Sequence, residues 1–510
     1  MSLLKKLIKP RFLAAMLSYV LTLFTNCALT ADWKISTQFA TQGTYTDNLQ
    51  LNNTKTVSSN NQGSKKESDF FIDLTPGLVI TGKGRRLNLD FAYSPQYIHY
   101  LSASSDDKMN HRLQLNMQSE LYQEHLFLDA SATAQQEVID SLSPSSGDAI
   151  NPTGNTQTTY TYQITPSYKS RFGRFVNLGI HFENNGVFYS DEGSNSIGYR
   201  SQIELSNGSA LTALRWGINA EDELVEFKNN KNEDDLNVEQ TSTELKNITA
   251  SLGYQFSARW QMMTRFGYEE NNYAALTETN GEHWEFSNTW IPTTRTTFQL
   301  GAGYRYFGWS PILEFSHRHK HSAWTASISR NISSARNERL QNDVYVFKDA
   351  FGETVVPDTG DRLAVRPNTA LATSATFISS QFQTGYTIQM RRNTLGTTIR
   401  YTLREYEGAK NNDETFGASL FWTRKLTGLT SSHLALSWDK NKRDEGANFI
   451  QPMAITQSTS ANEVTNFTID TGLSRQLSAR TNLDLQYRFL DSDQYTENRV
   501  TLGLRMMWSD

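Results

Sequence analysis

Two short stretches carry residue types that bind metal ions. "SHRHKHS" places His317, His319 and His321 at alternate positions, and alternate side chains of a β-strand point to one face. Imidazole is the commonest metal ligand in proteins. The adjacent Arg318 and Lys320, however, favour a short basic turn as the interpretation, with metal binding as the weaker alternative.

The second stretch, "NNKNEDDLNVE", clusters Glu233, Asp234 and Asp235. Carboxylates at this density suit Ca²⁺ or the cations that bridge lipopolysaccharide. A solvated acidic loop is the favoured alternative. We therefore predict no metal ligands and no cofactor.

Catalytic motifs are missing from the sequence. It contains no HExxH, no GxSxG, no P-loop and no EF-hand loop. A hydrolase would need a Ser–His pair oriented by a third group, and nothing singles out such a pair. We predict that the protein is not an enzyme and has no catalytic residue.

Charged residues on the polar sides of alternating segments are a more informative set. If those sides face the lumen of a barrel, a basic stripe would attract anions, and arginine's planar donor fork suits carboxylates. The alternative is that acids pair with the arginines and stiffen the wall. The predicted lumen-lining residues are Arg215, Arg265, Arg305, Arg400, Arg404, Arg488, Arg505, Asp90, Glu221, Glu269 and Asp484.

Strict alternation of apolar and polar residues recurs along the whole chain. At the end of the chain, Val500, Leu502, Leu504, Met506 and Trp508 share one side, and arginines lie on the other. "RRLNLDFAYSPQYIHY" and "NLDLQYRFL" alternate in the same way. A period of two predicts strands with one apolar and one polar face.

The connections between these segments alternate between short turns and long loops. Short turns include "GKGR", "RFGR" and "LSAR"; polar loops fall near 52–67, 101–109, 139–156, 228–241, 335–370 and 440–463. Up-and-down membrane barrels have tight periplasmic turns and longer outer loops. We predict an all-β fold: a transmembrane antiparallel up-and-down β-barrel of about 22 strands, with 18–24 acceptable.

Aromatic residues near the predicted strand ends support the same interpretation. Interfacial girdles of Trp and Tyr flank the apolar band of membrane barrels. A soluble sandwich or propeller is the alternative, and many consecutive long hairpins suit it poorly. The predicted girdle residues are Trp33, Tyr45, Tyr97, Tyr100, Tyr304, Tyr306, Trp324, Trp422, Trp438 and Trp508.

The first 31 residues have the pattern of a secretory signal peptide. A basic start precedes an apolar run from Phe12 to Phe24 and small residues near Ala31. Removing 1–31 removes four cations and no acids, so the formal charge changes from −5 to −9, which disfavours a nucleic-acid partner. A retained anchor helix and lipidation of Cys27 are the alternatives.

The predicted domains are thus a signal peptide, 1–31, and an outer-membrane barrel, 32–510, with long extracellular loops including 335–370. Large transporter barrels are usually plugged by a separate domain. Here the strand pattern starts at Trp33, which leaves no room for an N-terminal plug. An open lumen, or one occluded by loops such as 335–370, is expected.

Three stretches carry a resemblance to a known family: "GTYTDNLQL", "SDFFIDLTPGLVITGKGRRLNLDFAYSPQY" and the segment from "NGEHWEFSNTWIPTTR" through "GYRYFGWSP". The chain resembles the PEP-CTERM system-associated outer-membrane protein family, whose members are encoded beside exosortase and exopolysaccharide genes. The matching residues are Tyr45, Asp47, Asn48, Trp284, Trp290, Pro292, Arg295, Gly303, Arg305, Tyr306 and Gly308.

The resemblance implies a Gram-negative outer-membrane barrel that assists export or surface assembly of exopolysaccharide as a conduit. Its expected partners are outer-membrane lipid, lipopolysaccharide, exopolysaccharide with its export machinery, and the barrel-assembly machinery during biogenesis. A general diffusion porin and a non-conducting structural or adhesive barrel are the two alternatives.

Overall fold

A computed structural model describes residues 31–53, 55, 65–102, 106–146, 150–229, 242–341, 372–408, 411–444 and 462–509. The predicted signal peptide lies outside these residues except for Ala31, as do Glu233, Asp234, Asp235 and most of the loop 335–370. Within the described ranges, no helix has the length and apolar character to cross a membrane.

The described chain forms β-strands in sequence order, together with one short helix, α1 (Ala335–Leu340). The strands are β1 (Asp32–Thr46), β2 (Asp69–Lys83), β3 (Leu87–Tyr93), β4 (Gln96–Tyr100), β5 (Lys108–Asn110), β6 (Leu113–Tyr122), β7 (Leu126–Val138), β8 (Thr156–Phe172), β9 (Val176–Tyr189), β10 (Ser194–Asn207), β11 (Leu214–Asn229), β12 (Ser242–Ser257), β13 (Trp260–Asn272), β14 (Gly281–Thr293), β15 (Thr296–Arg305), β16 (Gly308–Arg318), β17 (Ser322–Ser334), β18 (Thr376–Gln389), β19 (Asn393–Tyr406), β20 (Asn411–Lys425), β21 (Thr430–Arg443), β22 (Glu463–Ser478), β23 (Thr481–Ser492) and β24 (Thr496–Ser509).

These segments make a closed antiparallel barrel of 22 strands. β3 and β4 form one wall strand interrupted at Pro95, which cannot donate a ladder hydrogen bond. β5 and β6 form the next, because β4 pairs with β5 and β3 with β6. The first strand pairs with the last, from Ser36 opposite Ser509 to Thr46 opposite Arg499. The predicted up-and-down barrel and its strand count are confirmed.

One face of every strand is apolar and points away from the barrel axis. Leu252, Phe266 and Leu300 expose 59%, 62% and 51% of their surface, far more than a soluble core residue would. Such a continuous exposed belt is unfavourable in water and favourable in lipid. The barrel is therefore a transmembrane barrel.

The opposite face points into the lumen, as its contacts with α1 show. Side chains from β7, β11 and β19, well separated around the wall, all reach this helix: Glu137, Glu223 and Arg404. Strands so far apart can meet one short helix only inside the barrel. The face that carries these three residues is the inner face.

The aromatic girdle is correct in outline, but one of its members is misplaced. Trp33, Tyr45, Tyr304, Trp324 and Trp508 are exposed on the outer face. Tyr100 is instead fully buried. It packs against Phe71 at 5.4 Å between ring centroids, and its hydroxyl donates to the carbonyl of Ile150. The prediction that Tyr100 lies in the girdle was wrong, because β4 ends beside a loop that folds into the lumen.

An arginine on the outer face should destabilise the barrel much more than one on the inner face. Leu300 is the central outer-face residue of β15, so Leu300→Arg should lower the free energy of unfolding by about 2–4 kcal/mol. Gln299→Arg, on the inner face beside it, is the matched control and should cost less than half as much. Urea unfolding in lipid vesicles, followed by tryptophan fluorescence, measures both; equal costs would contradict the assigned faces.

Candidate functional site

The first element that fills the lumen is the connection between β7 and β8, residues 139–155. Its described part is compact: the Asn155 Nδ2 donates to the carbonyls of Asp140, Ser143 and Pro144 at 2.9, 3.1 and 3.2 Å. Arg443 of β21 donates to the Asp140 carboxylate at 3.1 Å. A loop that leaves the wall at β7 therefore contacts β21, on the other side of the barrel.

Asn151 anchors this loop against the closing seam. Its Nδ2 donates to the Leu49 carbonyl at 2.8 Å and to Glu497 Oε1 at 3.1 Å, and its Oδ1 accepts from Arg499. Arg499 and Glu497 form a buried ion pair at 2.9 Å, and Thr46 Oγ1 donates to the same carboxylate at 2.7 Å. Because all these groups are buried, each hydrogen bond offsets a desolvation cost.

The second element is α1, which begins at the capping residue Ser334 and runs inward. Arg339 donates from Nε to Glu137 Oε2 at 2.7 Å, and both side chains are almost fully buried, at 1% and 0% exposed. Thr159 Oγ1 donates to the same carboxylate at 3.0 Å. The guanidinium also lies 5.1 Å from the ring centroid of Tyr189. The helix is thus fixed to β7, β8 and β9.

Two further ion pairs hold the remaining sides of α1. Arg336 lies 3.7 Å from Glu223 of β11, and Glu338 accepts from Arg404 of β19 at 2.8 and 3.1 Å. Burial disfavours the charge of Arg339, but the attraction of Glu137 outweighs it and the pKa of Arg339 is raised. Burial lowers the pKa of Arg336, and Glu223 offsets it only in part. Arg339 also makes the closer contact with its acid, at 2.7 Å against 3.7 Å for Arg336.

Five of the seven predicted lumen arginines are ion-paired on the inner face. Arg404 also lies 3.3 Å from Asp413, Arg400 is 2.6 Å from Asp439, and Arg488 is 3.2 Å from Asp470. The other two pairs are Arg265 with Glu285, and Arg305 with Glu269. These contacts match the alternative in which charge pairs stiffen the wall.

The other predicted residues differ in their surroundings. Arg215, near the start of β11, donates to Gln255 at 2.8 Å, and no acid among the described residues pairs with it. Arg505 likewise has no ion-pair partner in the described ranges. Glu221 pairs with Arg200 at 2.7 Å. Asp90 and Asp484 also lie on the inner face, and Asp90 is exposed.

The inner face changes from exposed to buried along the barrel axis. Near the short turns, inner-face side chains such as Lys34, Lys83 and Arg171 are exposed. Near the long loops, those such as Asp73 and Glu269 are buried. The inner face is therefore accessible to solvent at the short-turn end, in a region that we call the vestibule. The described residues 139–146 and 150–155, together with α1, form a layer across the long-loop end. We call these two segments the lumen layer.

The residues that match the family resemblance have structural roles. Asp47 accepts from the Asn498 backbone N–H at 2.7 Å and from Lys66 at 3.0 Å, and Asn48 Nδ2 donates to the Thr496 carbonyl at 3.1 Å. These bonds fix the start of the first loop on β24. Gly308 has φ +100°, a conformation that favours glycine in the tight turn from β15 to β16.

The aromatic part of that resemblance lies on the outer face. Trp309 packs edge-on against Trp284 at 5.7 Å and Tyr304 at 5.8 Å between centroids. A Cβ on Gly303 would lie 2.8 Å from the Trp284 carbonyl oxygen, so glycine allows this close approach. Of the other matching residues, Tyr45 and Trp290 are exposed on the outer face, Pro292 and Arg295 lie at the β14–β15 turn, and Tyr306 bonds Tyr273.

We assign no metal site to His317, His319 and His321. His317 lies within hydrogen-bond distance of Thr296, at 2.9 Å, and Arg318, His319, Lys320 and His321 are exposed at a short turn. Within the described residues, no group of three or more His, Cys, Asp or Glu side chains is placed to hold a metal ion.

Several residues that form the lumen layer or hold it to the wall were missed by the sequence analysis, notably Glu137, Asn151, Arg339 and Glu497. The lumen-facing side of Arg499 follows from the alternation at the end of the chain, but its partners do not. The available signal was weak. Ile139, Leu142 and Ile150 are apolar residues in an otherwise polar loop, and all three are buried. Apolar residues in a loop that contacts only water would be unfavourable, so they indicate burial.

Comparisons with known proteins add a general likeness in fold. No family model and no curated protein matches the chain. The siderophore receptor PirA from Acinetobacter baumannii is 10% identical with a TM-score of 0.48, covering 94% of this chain and 81% of that one. The FrpB iron transporter from Neisseria meningitidis is 10% identical with a TM-score of 0.48, covering 95% and 83%.

Pseudomonas aeruginosa OccK2 (OpdF), solved in complex with glucuronate, is 8% identical with a TM-score of 0.34, covering 94% of this chain and 98% of that one. Similarities this low assign neither family nor ligand. The barrel architecture rests on the strand pairing described above.

Breaking the Arg339–Glu137 pair should loosen α1 and leave the barrel closed. Arg339→Ala leaves a buried carboxylate without its cation, which costs about 3–5 kcal/mol locally. We expect faster proteolysis within α1, with unchanged migration of the unheated barrel on a gel. Arg330→Ala, which removes an outer-face arginine paired with Glu405 at 2.9 Å, is the matched control. Equal proteolysis of both variants would contradict the anchoring role.

Proposed function

We propose that the protein is an outer-membrane barrel of a PEP-CTERM/exosortase system. It assists exopolysaccharide export or surface assembly as a conduit that the lumen layer keeps closed at rest. The observation that carries this proposal is the vestibule that opens at the short-turn end and ends at the lumen layer.

The membrane assignment follows from the two faces of the wall. A closed sheet satisfies every backbone hydrogen bond without water, and the outer belt suits hydrocarbon. Barrels of this class occur in outer membranes with the short turns in the periplasm. In this orientation the vestibule opens to the periplasm, where a polymer awaiting export would be found.

The construction of the layer supports a closable passage over a permanent wall. α1 is six residues long, and polar contacts, mainly three ion pairs and a cap, hold it in place. The contacts among Phe377, Tyr406 and Ala335 are its main apolar packing. A segment held mainly by polar contacts can exchange them for water, whereas a packed apolar core cannot.

A general diffusion porin is the less supported alternative, because it needs a lumen open along its whole length. The paired arginines also weaken the idea of an anion-selective stripe. Arg400 with Asp439 and Arg488 with Asp470 are locally neutral. A non-conducting structural barrel remains the second alternative, and current measurements separate it from the conduit.

Planar-bilayer recordings of the refolded mature barrel test the conduit. We expect small, infrequent openings for the wild type and a steady, larger current after residues 335–371 are replaced by a short Gly-Ser turn. The wall should survive this change because Ser334 and Thr376 are already paired across β17 and β18. A control variant shortens 231–240, between β11 and β12. Silence of both loop variants would favour the structural barrel, and a steady wild-type current would favour the porin.

The link to polysaccharide needs a test in cells. Deleting the gene in its host should reduce surface polysaccharide without reducing uptake of small solutes. Complementation with Arg339→Ala tests the layer, since a loosened layer should admit large antibiotics that the wild type excludes. Normal polysaccharide in the deletion strain would contradict the proposed role.

A further inference from the structure

The ten turns at the end of the barrel where β1 begins and β24 ends have an unusual charge composition. They connect β2–β3, β6–β7, β8–β9, β10–β11, β12–β13, β14–β15, β16–β17, β18–β19, β20–β21 and β22–β23. Between them they contain nine cations and a single acid, Glu124. The connections at the other end, most of which are longer, have the opposite bias, with more Asp and Glu than Lys and Arg. We call the nine cations the basic rim: Arg85, Arg86, Arg174, Arg259, Arg295, Lys320, Arg391, Arg392 and Arg480.

The basic rim is free of ion pairs. None of its nine side chains pairs with an acid of the described chain, and all but the half-buried Arg86 are exposed. The arginines of the lumen layer are the reverse: Arg336 and Arg339 are buried and lie beside acids. Acids of the same chain therefore neutralise the arginines of the lumen layer, whereas the cations of the basic rim remain available to a partner.

Cations at the adjoining strand ends show which way the charge is directed. Lys83, Arg171, Arg318 and Lys425 have inner-face positions, whereas Arg424 and Arg475 have outer-face positions. Further inner-face residues near this end are the cations Lys34, Lys169, Arg215 and Arg505 and the acids Asp32, Glu120, Asp129, Glu204, Glu314 and Asp484. Together with the nine cations of the basic rim, the cations at this end outnumber the acids. Positive charge is thus concentrated around the mouth of the vestibule and less on the side that faces lipid.

We propose that the basic rim and the inner-face strand-end cations capture a carboxylate-bearing polysaccharide and hold it at the mouth of the vestibule. This inference rests on the proposed function, because it names the substrate class of the same passage. Clustered like charges at a concave opening raise the local concentration of an oppositely charged chain. Hydrated, exposed arginines bind carboxylates without the desolvation cost that buried ones incur.

Anionic lipid headgroups are the competing source of negative charge. They lie beside the outer wall at the level of the turns, where they would meet Arg424 and Arg475 first. The greater number of strand-end cations on the inner face favours a polymer that enters the lumen. The two sources predict different sensitive residues, which makes them separable.

Two double variants with the same charge change provide the test. Arg318→Gln with Lys425→Gln removes inner-face cations, and Arg424→Gln with Arg475→Gln removes outer-face cations from the same end. Full-length mature barrels in phosphatidylcholine nanodiscs are titrated with polygalacturonate at low salt, with neutral dextran as the ligand control. Gel migration of unheated samples confirms that each variant is folded.

We expect the inner-face variant to bind polygalacturonate about fivefold more weakly and the outer-face variant to change less than twofold. Added salt should weaken wild-type binding steeply. Equal effects of the two variants, or wild-type binding no tighter than that of dextran, would overturn the inference. Loss confined to the outer-face variant, together with wild-type binding to phosphatidylglycerol vesicles, would overturn it in favour of a lipid contact.

The binding assay uses neither current nor secretion, so its failure is distinct from failure of the proposed function. Normal binding of polygalacturonate together with normal polysaccharide in the deletion strain would contradict the conduit function but not the proposed binding by the basic rim. Absence of polygalacturonate binding together with a clear polysaccharide defect would contradict only the proposed binding by the basic rim.

Discussion

Closure of the sheet is the constraint on which the rest of the structure depends. Inside a bilayer an unpaired backbone group costs several kcal/mol, so the first and last strands must pair. They do so over eleven residue pairs, from Ser36–Ser509 to Thr46–Arg499. Closure gives each strand one face toward lipid and one toward an enclosed lumen. The period-two alternation of the chain follows from this geometry, since a one-residue slip would place arginines in hydrocarbon.

The enclosed lumen divides its charges according to their access to water. Where the lumen layer excludes water, a lone charge would be very unfavourable, and cations there lie beside acids, as Arg339 does beside Glu137. Where water enters, charges need no partner, and Arg391, Arg392 and Arg480 have none among the described residues. Arginine therefore has two different roles in this barrel. At the long-loop end it fixes α1 to the wall, and at the short-turn end it is exposed to solvent.

Sequence periodicity predicted the wall because each residue's face depends only on its near neighbours. Contacts between adjacent strands could be predicted in part for the same reason, because Arg265 and Glu285 lie directly opposite each other in one hairpin. The lumen layer could not be predicted from the sequence. Arg339 and Glu137 are 202 residues apart, and nothing local in either stretch indicates the other. Tyr100 was misplaced for the same reason, since its burial depends on Ile150 in a loop that the strand pattern does not constrain.

The position of the lumen layer makes the two ends of the barrel different. The inner face is exposed at the short-turn end and covered by the lumen layer at the long-loop end. The layer lies where the wall is most heavily ion-paired, so it can separate from the wall only by exposing charges that water can then solvate. If the layer opens as proposed, ion pairs such as Arg404–Glu338 would be exchanged for hydration, with little loss of apolar packing.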